Sequence, residues 1–176
     1  MRAKLEHYGA LLLEWNKIHN LGGNLDASRV EEYVRDSIYP LEFIEPFGEC
    51  IDVGSGAGFP ALPLAICSPD SAFVLVEPRQ KRCAFLHYVC AELGLQNIAI
   101  KKCRIQELSP ACKADLITSR ALMETRSLIA LSEGFLREGG HFLFYKGTHL
   151  GQEIDLQGKH YRTHGERIYF YERKMK

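Results

Sequence analysis

Ten residues, IDVGSGAGFP from Ile51 to Pro60, do most to restrict the folds open to this chain. They read as the end of a buried strand, a glycine-rich turn and the first residues of a helix. Gly54, Gly56 and Gly58 stand at alternate positions, and without Cβ atoms they let the backbone turn sharply and a ligand approach the main chain closely. Pro60 suits the first turn of a helix, where a missing N–H costs nothing. Open α/β sheets bind nucleotide-like ligands at such turns, beyond the carboxyl ends of their strands.

The spacing departs from the dinucleotide fingerprint, which wants glycine at the first, third and sixth positions so that pyrophosphate can rest on the helix N-terminus. Here the sixth position counted from Gly54 is Phe59, and an acid, Asp52, precedes the first glycine. That acid is an awkward neighbour for pyrophosphate and a useful one for a cation. S-adenosylmethionine carries a sulfonium and an ammonium and no phosphate. An acid, one residue, then G-x-G-x-G resembles the first motif of Rossmann-like methyltransferases.

The rest of the chain supplies a sheet around that turn. Phe73–Glu77 reads as a second buried strand, with Glu77 about 20 residues past the turn, where an acid reaches ribose hydroxyls. A helix from about Gln80 to Leu93 stops at Gly94. Ile98–Ile100, DLITSRA and HFLFYKG give three further strands, the last two ending at Arg120 and Lys146, and a helix through Leu128, Leu131 and Phe135 is expected to stop at Gly139 and Gly140. This alternation predicts an α/β fold with a mostly parallel, doubly wound sheet. The polar segment from Gly147 to Gly158 is followed by two arms of a terminal hairpin, Tyr161 onward and Ile168–Tyr171.

Ahead of the core, Leu5, Tyr8, Leu11, Leu12, Trp15 and Ile18 form one helical stripe ended by Gly22 and Gly23. Ser28 and Glu31 offer a capping box for a second helix through Val30, Tyr33, Val34 and Ile38. At 176 residues the expectation is a single domain, with 1–46 an N-terminal helical cap and 47–176 a Rossmann-like core. Net charge is zero, so any nucleic-acid binding must come from a local patch. The six cysteines contain no C-x-x-C pair, so no metal is expected; Cys50, Cys67, Cys83 and Cys90 fall at apolar positions, as free buried thiols of a reducing compartment do. No run approaches 18 apolar residues, and a cytoplasmic protein away from membranes is expected.

With these residues placed, the chain resembles the bacterial small-subunit ribosomal RNA guanine-N7 methyltransferases, the glucose-inhibited division protein B family. The likeness runs from Leu12 to Gly147 in pieces: LLEWNKIHNL, VRDSIYPL, IDVGSGAGFPALPLAI, KRCAFL, ITSRAL and YKG. It implies a class I S-adenosylmethionine-dependent methyltransferase that modifies N7 of one guanine in 16S rRNA of the small ribosomal subunit and releases S-adenosylhomocysteine. It also implies cofactor contacts at Gly54, Gly56, Phe59, Ile105, Gln106 and Arg120, to which the ribose argument adds Glu77. The chain departs from the family pattern at Ala61, where glycine is usual, at Gly22, where threonine is usual, at Val34 and Arg35, near which a histidine is common, and in a short terminal region.

Guanine N7 carries an exposed lone pair and no proton, so the reaction needs no general base and can rest on alignment and electrostatics. No catalytic base is assigned. Asn16, Asp36 and Ser37 in the cap, and Lys146 at the fifth strand, are candidates for positioning the guanine; capping bonds compete for the first three and snorkelling for the lysine. Arg79, Lys81, Arg82, Lys101, Lys102 and Arg104 stand against one acid, Glu92, and are the candidates for RNA phosphate contacts. A monomer is expected. The rival readings are a methyltransferase of the same fold acting on another substrate, an NAD-dependent oxidoreductase, and a non-catalytic ribosome-associated protein that retains the cofactor.

Overall fold

The computed structural model describes residues 1–19, 21 and 23–174; the expected helix stop and family departure at Gly22 lie outside them. Seven strands, β1 (Glu49–Val53), β2 (Ala72–Val76), β3 (Ile98–Lys101), β4 (Ala114–Arg120), β5 (Leu136–Lys146), β6 (Tyr161–His164) and β7 (Arg167–Arg173), form one sheet in the order β3-β2-β1-β4-β5-β7-β6. β1 to β5 are parallel, β7 runs antiparallel to β5, and β6 pairs antiparallel with β7. The strand order reverses between β1 and β4, which opens a crevice beyond their carboxyl ends. The doubly wound sheet and the terminal hairpin are as expected.

Period-2 alternation divides the core between the two faces of the sheet. Cys50, Phe73, Leu75, Leu116, Leu143 and Tyr145 pack with Leu12 of α1 (Arg2–His19), Val30 of α2 (Ala27–Ile38), Leu62 of α3 (Ala61–Cys67) and Phe85 of α4 (Gln80–Leu93). Ile51, Val53, Ile117, Phe142, Phe144 and Phe170 pack on the other face with Leu128 of α5 (Thr125–Ser132) and Leu150 of α6 (Leu150–Glu153). Each such side chain contributes roughly 1.5–3 kcal/mol when fully buried. α1 reaches the glycine turn directly: the buried Tyr8 hydroxyl donates to the Ala57 carbonyl at 2.8 Å.

Several local expectations are corrected. The cap of α2 is Asp26, whose extended backbone lets its carboxylate accept the Arg29 N–H at 2.9 Å; Ser28 already lies inside the helix. In α1, Trp15 stacks 5.2 Å from Tyr88 of α4, but Ile18 stands 76% exposed. Gly139 and Gly140 stop no helix. They lie within β5, Gly139 with φ +78° and Gly140 so close to β4 that a Cβ would fall 2.8 Å from the Asp115 carbonyl, where the β4–β5 register shifts. Phe135 belongs to a 3-10 turn rather than to α5, and the segment from Gly147 to Gly158 contains α6. All six cysteines are free, but Cys67 and Cys90 are only half-buried.

Candidate functional site

The glycine turn is held by its own amides. Gly54 and Ser55 donate N–H to the Val76 carbonyl at 2.8 and 3.2 Å, and Gly58 donates to Ser55 at 2.7 Å. Gly56 donates to Glu77 Oε2 at 2.9 Å, while Glu77 Oε1 accepts the Arg79 N–H at 2.9 Å. Glycine is required twice over at Gly58: its φ is +99° and a Cβ would meet Leu62 at 2.4 Å. With these donors engaged, the turn offers little to a pyrophosphate. It instead presents a buried carboxylate with lone pairs to spare for hydroxyl donors.

On the next strands over, two buried charges are left incomplete. Asp52 is 1% exposed; its Oδ1 accepts the Thr118 hydroxyl at 2.7 Å and its Oδ2 has no partner among the described residues. Burial pushes its carboxyl up to about 7, against the Ser55 and Thr118 hydroxyls that pull it down. Arg120, two residues beyond Thr118 on β4, lies 4.1 Å over the Tyr33 ring and 5.8 Å from the Phe59 ring centre. It faces Asp36 Oδ2 at 3.7 Å, yet its Nη1 is buried without a hydrogen-bond partner among the described residues. Burial lowers its pKa, the adjacent Arg167 lowers it further, and Asp36 opposes both. The two charges both act on the buried Tyr8 hydroxyl: burial raises its pKa, Arg120 lowers it and Asp52 raises it. Buried polar atoms in native proteins are nearly always paired, so an open carboxylate oxygen and an open guanidinium nitrogen on adjacent strands point to a ligand. A ligand carrying an ammonium and a carboxylate fits both.

The family model described as rRNA small subunit methyltransferase G matches residues 1–176. The chain belongs to this family. A rRNA small subunit methyltransferase G from Helicobacter bizzozeronii is 50% identical over 175 residues, 99% of this chain and 98% of the relative. Among solved structures, a ribosomal protein L11 methylase from Lactobacillus delbrueckii superposes with a TM-score of 0.64 at 21% identity, over 82% of this chain and 79% of that one. A T. thermophilus 16S rRNA methyltransferase solved with AdoMet and guanosine gives 0.61 at 17% identity, over 88% of this chain and 44% of that one. What these two share with the chain is the fold, that of class I methyltransferases.

Within this rRNA small subunit methyltransferase G fold, the residues expected at the cofactor converge on the carboxyl ends of four neighbouring strands: Gly54, Gly56 and Phe59 after β1, Glu77 after β2, Ile105 and Gln106 after β3, and Arg120 at the end of β4. Ile105 is buried and Gln106 exposed. The basic candidates share that end of the sheet, Arg79, Lys81 and Arg82 following β2, Lys101 ending β3, and Lys102 and Arg104 following it. Arg82 approaches Glu77 Oε2 at 3.6 Å and Lys102 donates to Gln80 at 2.8 Å.

The base-positioning candidates are dispersed. Ser37 is fully buried and donates its hydroxyl to the Tyr33 carbonyl at 2.6 Å. Asn16 donates to Gly23 at 2.8 Å in the first helical connection. Lys146 turns to the α5–α6 face, donating to Met123 and to Glu153 Oε2 at 2.7 and 2.8 Å. Asp36 is beside Arg120, but its carboxylate accepts Arg167 at 2.7 Å and the Tyr169 hydroxyl at 3.0 Å. Sequence reasoning missed Tyr33, Arg167 and Tyr169 as neighbours of Arg120. Arg167 meets Asp36 across 131 positions, a separation that carries no local pattern. Ala121, at φ +49° directly after Arg120, was also unforeseen; it turns the chain so that Leu122 covers Gly54.

Proposed function

We propose that this chain transfers the methyl group of S-adenosylmethionine to N7 of a guanine in 16S rRNA. The observation that carries the reading is the pair of atoms Asp52 Oδ2 and Arg120 Nη1 on the neighbouring strands β1 and β4, both buried and without a partner among the described residues. It suits the ammonium and carboxylate of an amino-acid moiety, and the glycine turn with Glu77 suits the attached ribose. S-adenosylmethionine, when bound, supplies a methyl group on a cationic sulfur. Asp52 and Glu77 hold negative charge near that cation, Arg120 holds the carboxylate, and the Ile105–Gln106 segment covers the adenine side.

Positive charge passes to the base during transfer, so the protein need only align N7 and surround it with acceptors. A cavity of about 650 Å³ beside Arg120 is lined by Arg35, Asp36, His149, Glu166 and Arg167, and it receives the guanine. The exposed Arg79, Lys81, Lys101 and Arg104 serve as phosphate contacts. The chain acts as one methyltransferase domain, residues 1–46 forming a cap on the core of 47–176, as a cytoplasmic monomer without a metal.

The test is methyl transfer from labelled S-adenosylmethionine to small ribosomal subunits and to naked 16S rRNA, with mapping of the modified base. Label at a guanine N7 is expected. Cofactor binding without label on either RNA substrate overturns the reading.

A further inference from the structure

Among the described residues β6 is the edge strand of the sheet, and its four side chains are exposed. Between it and Phe43 lies a cleft of about 460 Å³ that methyl transfer does not use. Its walls combine cations with rings. Among the described residues, Lys159, Arg162 and Arg173 line it against one acid, Glu45, although Lys159 is paired with Glu172 at 2.9 Å. The Arg162 guanidinium lies 4.7 Å over the Phe43 ring. His141 and Tyr171 stack in the wall, 4.6 Å apart and 10° from parallel, and Tyr161 stands 43% exposed at the mouth.

We propose that this cleft binds a single-stranded RNA segment flanking the target guanine, its base against the rings and its phosphates against Arg162, Lys159 and Arg173. Aromatic platforms among cations hold single strands without reading their sequence. The position suits that role. The far end of the same strand carries His164, stacked 4.3 Å from Tyr39, and His164 also lines the acceptor cavity with Arg167. Tyr161 to His164 spans about 10 Å of strand, so an RNA chain with its guanine in the cavity reaches the cleft within a few nucleotides. The basic residues around β3 lie at the opposite margin of the sheet, which separates the two surfaces experimentally. The inference rests on the reading of the chain as an RNA methyltransferase.

Tyr161→Ala and Arg162→Ala are compared with Lys101→Ala in binding to a short fluorescein-labelled single-stranded RNA and in methyl transfer to 16S rRNA, with melting temperature and S-adenosylmethionine affinity measured on each. Each cleft variant is expected to bind RNA about tenfold more weakly and to raise KM for RNA, with kcat, fold and cofactor affinity unchanged. Arg162→Ala also flattens the salt dependence of log Kd by about 0.7. Unchanged RNA affinity in both cleft variants overturns the inference, as do photocrosslinks from position 161 that reach ribosomal protein instead of RNA. If the wild type methylates no RNA, the functional reading fails, and the direct RNA-binding comparison still decides the cleft.

Discussion

Asp52 and Arg120 carry opposite charges on the neighbouring strands β1 and β4, and each has a measurable signature. The Asp52 carboxyl titrates near 7 in the fold and near 3.9 when unfolded, so its contribution to stability is fully present below about pH 4 and is lost as pH rises through 7. Melting temperature followed from acid to neutral pH should therefore fall in the wild type relative to Asp52→Asn. A cation beside Asp52 favours its charged form, so S-adenosylmethionine affinity should rise with pH over the same range and lose that rise in the variant. Calorimetry at several pH values checks this; parallel curves would remove Asp52 from the site. For Arg120→Ala and Glu77→Gln, loss of a charge-assisted contact predicts roughly ten- to hundredfold weaker cofactor binding. Unchanged affinity in both would sink the assignment. Of this site, the acid before the glycines and Glu77 at its spacing were legible in the sequence. That Asp52 and Arg120 stand on adjacent strands was not, because it depends on β1 pairing with β4.

At the level of elements, the position of a cap and the need for a glycine separate local pattern from packing. Asp26→Ala should cost about 1 kcal/mol and Ser28→Ala less than about 0.5, read by chemical denaturation. The S-x-x-E pattern pointed to Ser28, but the extended residue that opens the helix is two positions earlier, at Asp26. Gly58→Ala places a Cβ against Leu62 and Tyr8 at positive φ and should destabilise by more than about 2 kcal/mol. Gly134→Ala, with open space around it, should change the melting temperature little. The glycine turn could be recognised from its own residues, since a strand, a turn and a helix follow one another within it. Gly139 and Gly140 look equally like a helix stop, and only the neighbouring strand shows that they serve a bulge.

In the whole molecule, the terminal hairpin does more than close the sheet. Tyr169 and Phe170 are fully buried on opposite faces, one in each core cluster, and Phe170→Ala should cost about 3–5 kcal/mol in equilibrium unfolding. Through Arg167 and Tyr169 the same hairpin fixes Asp36 of α2 beside Arg120. The sequence by itself determined the parallel α/β core, the glycine turn, the acids that flank it and the resemblance to a family, because each is written in short-range spacing and hydrophobic period. Only the tertiary structure decided which charges are paired, which of Asn16, Asp36, Ser37 and Lys146 lies near Arg120, and that the sheet edge carries a cleft of rings and cations. Those outcomes depend on contacts between residues far apart in the chain, set by strand order and helix packing, and no local pattern encodes them.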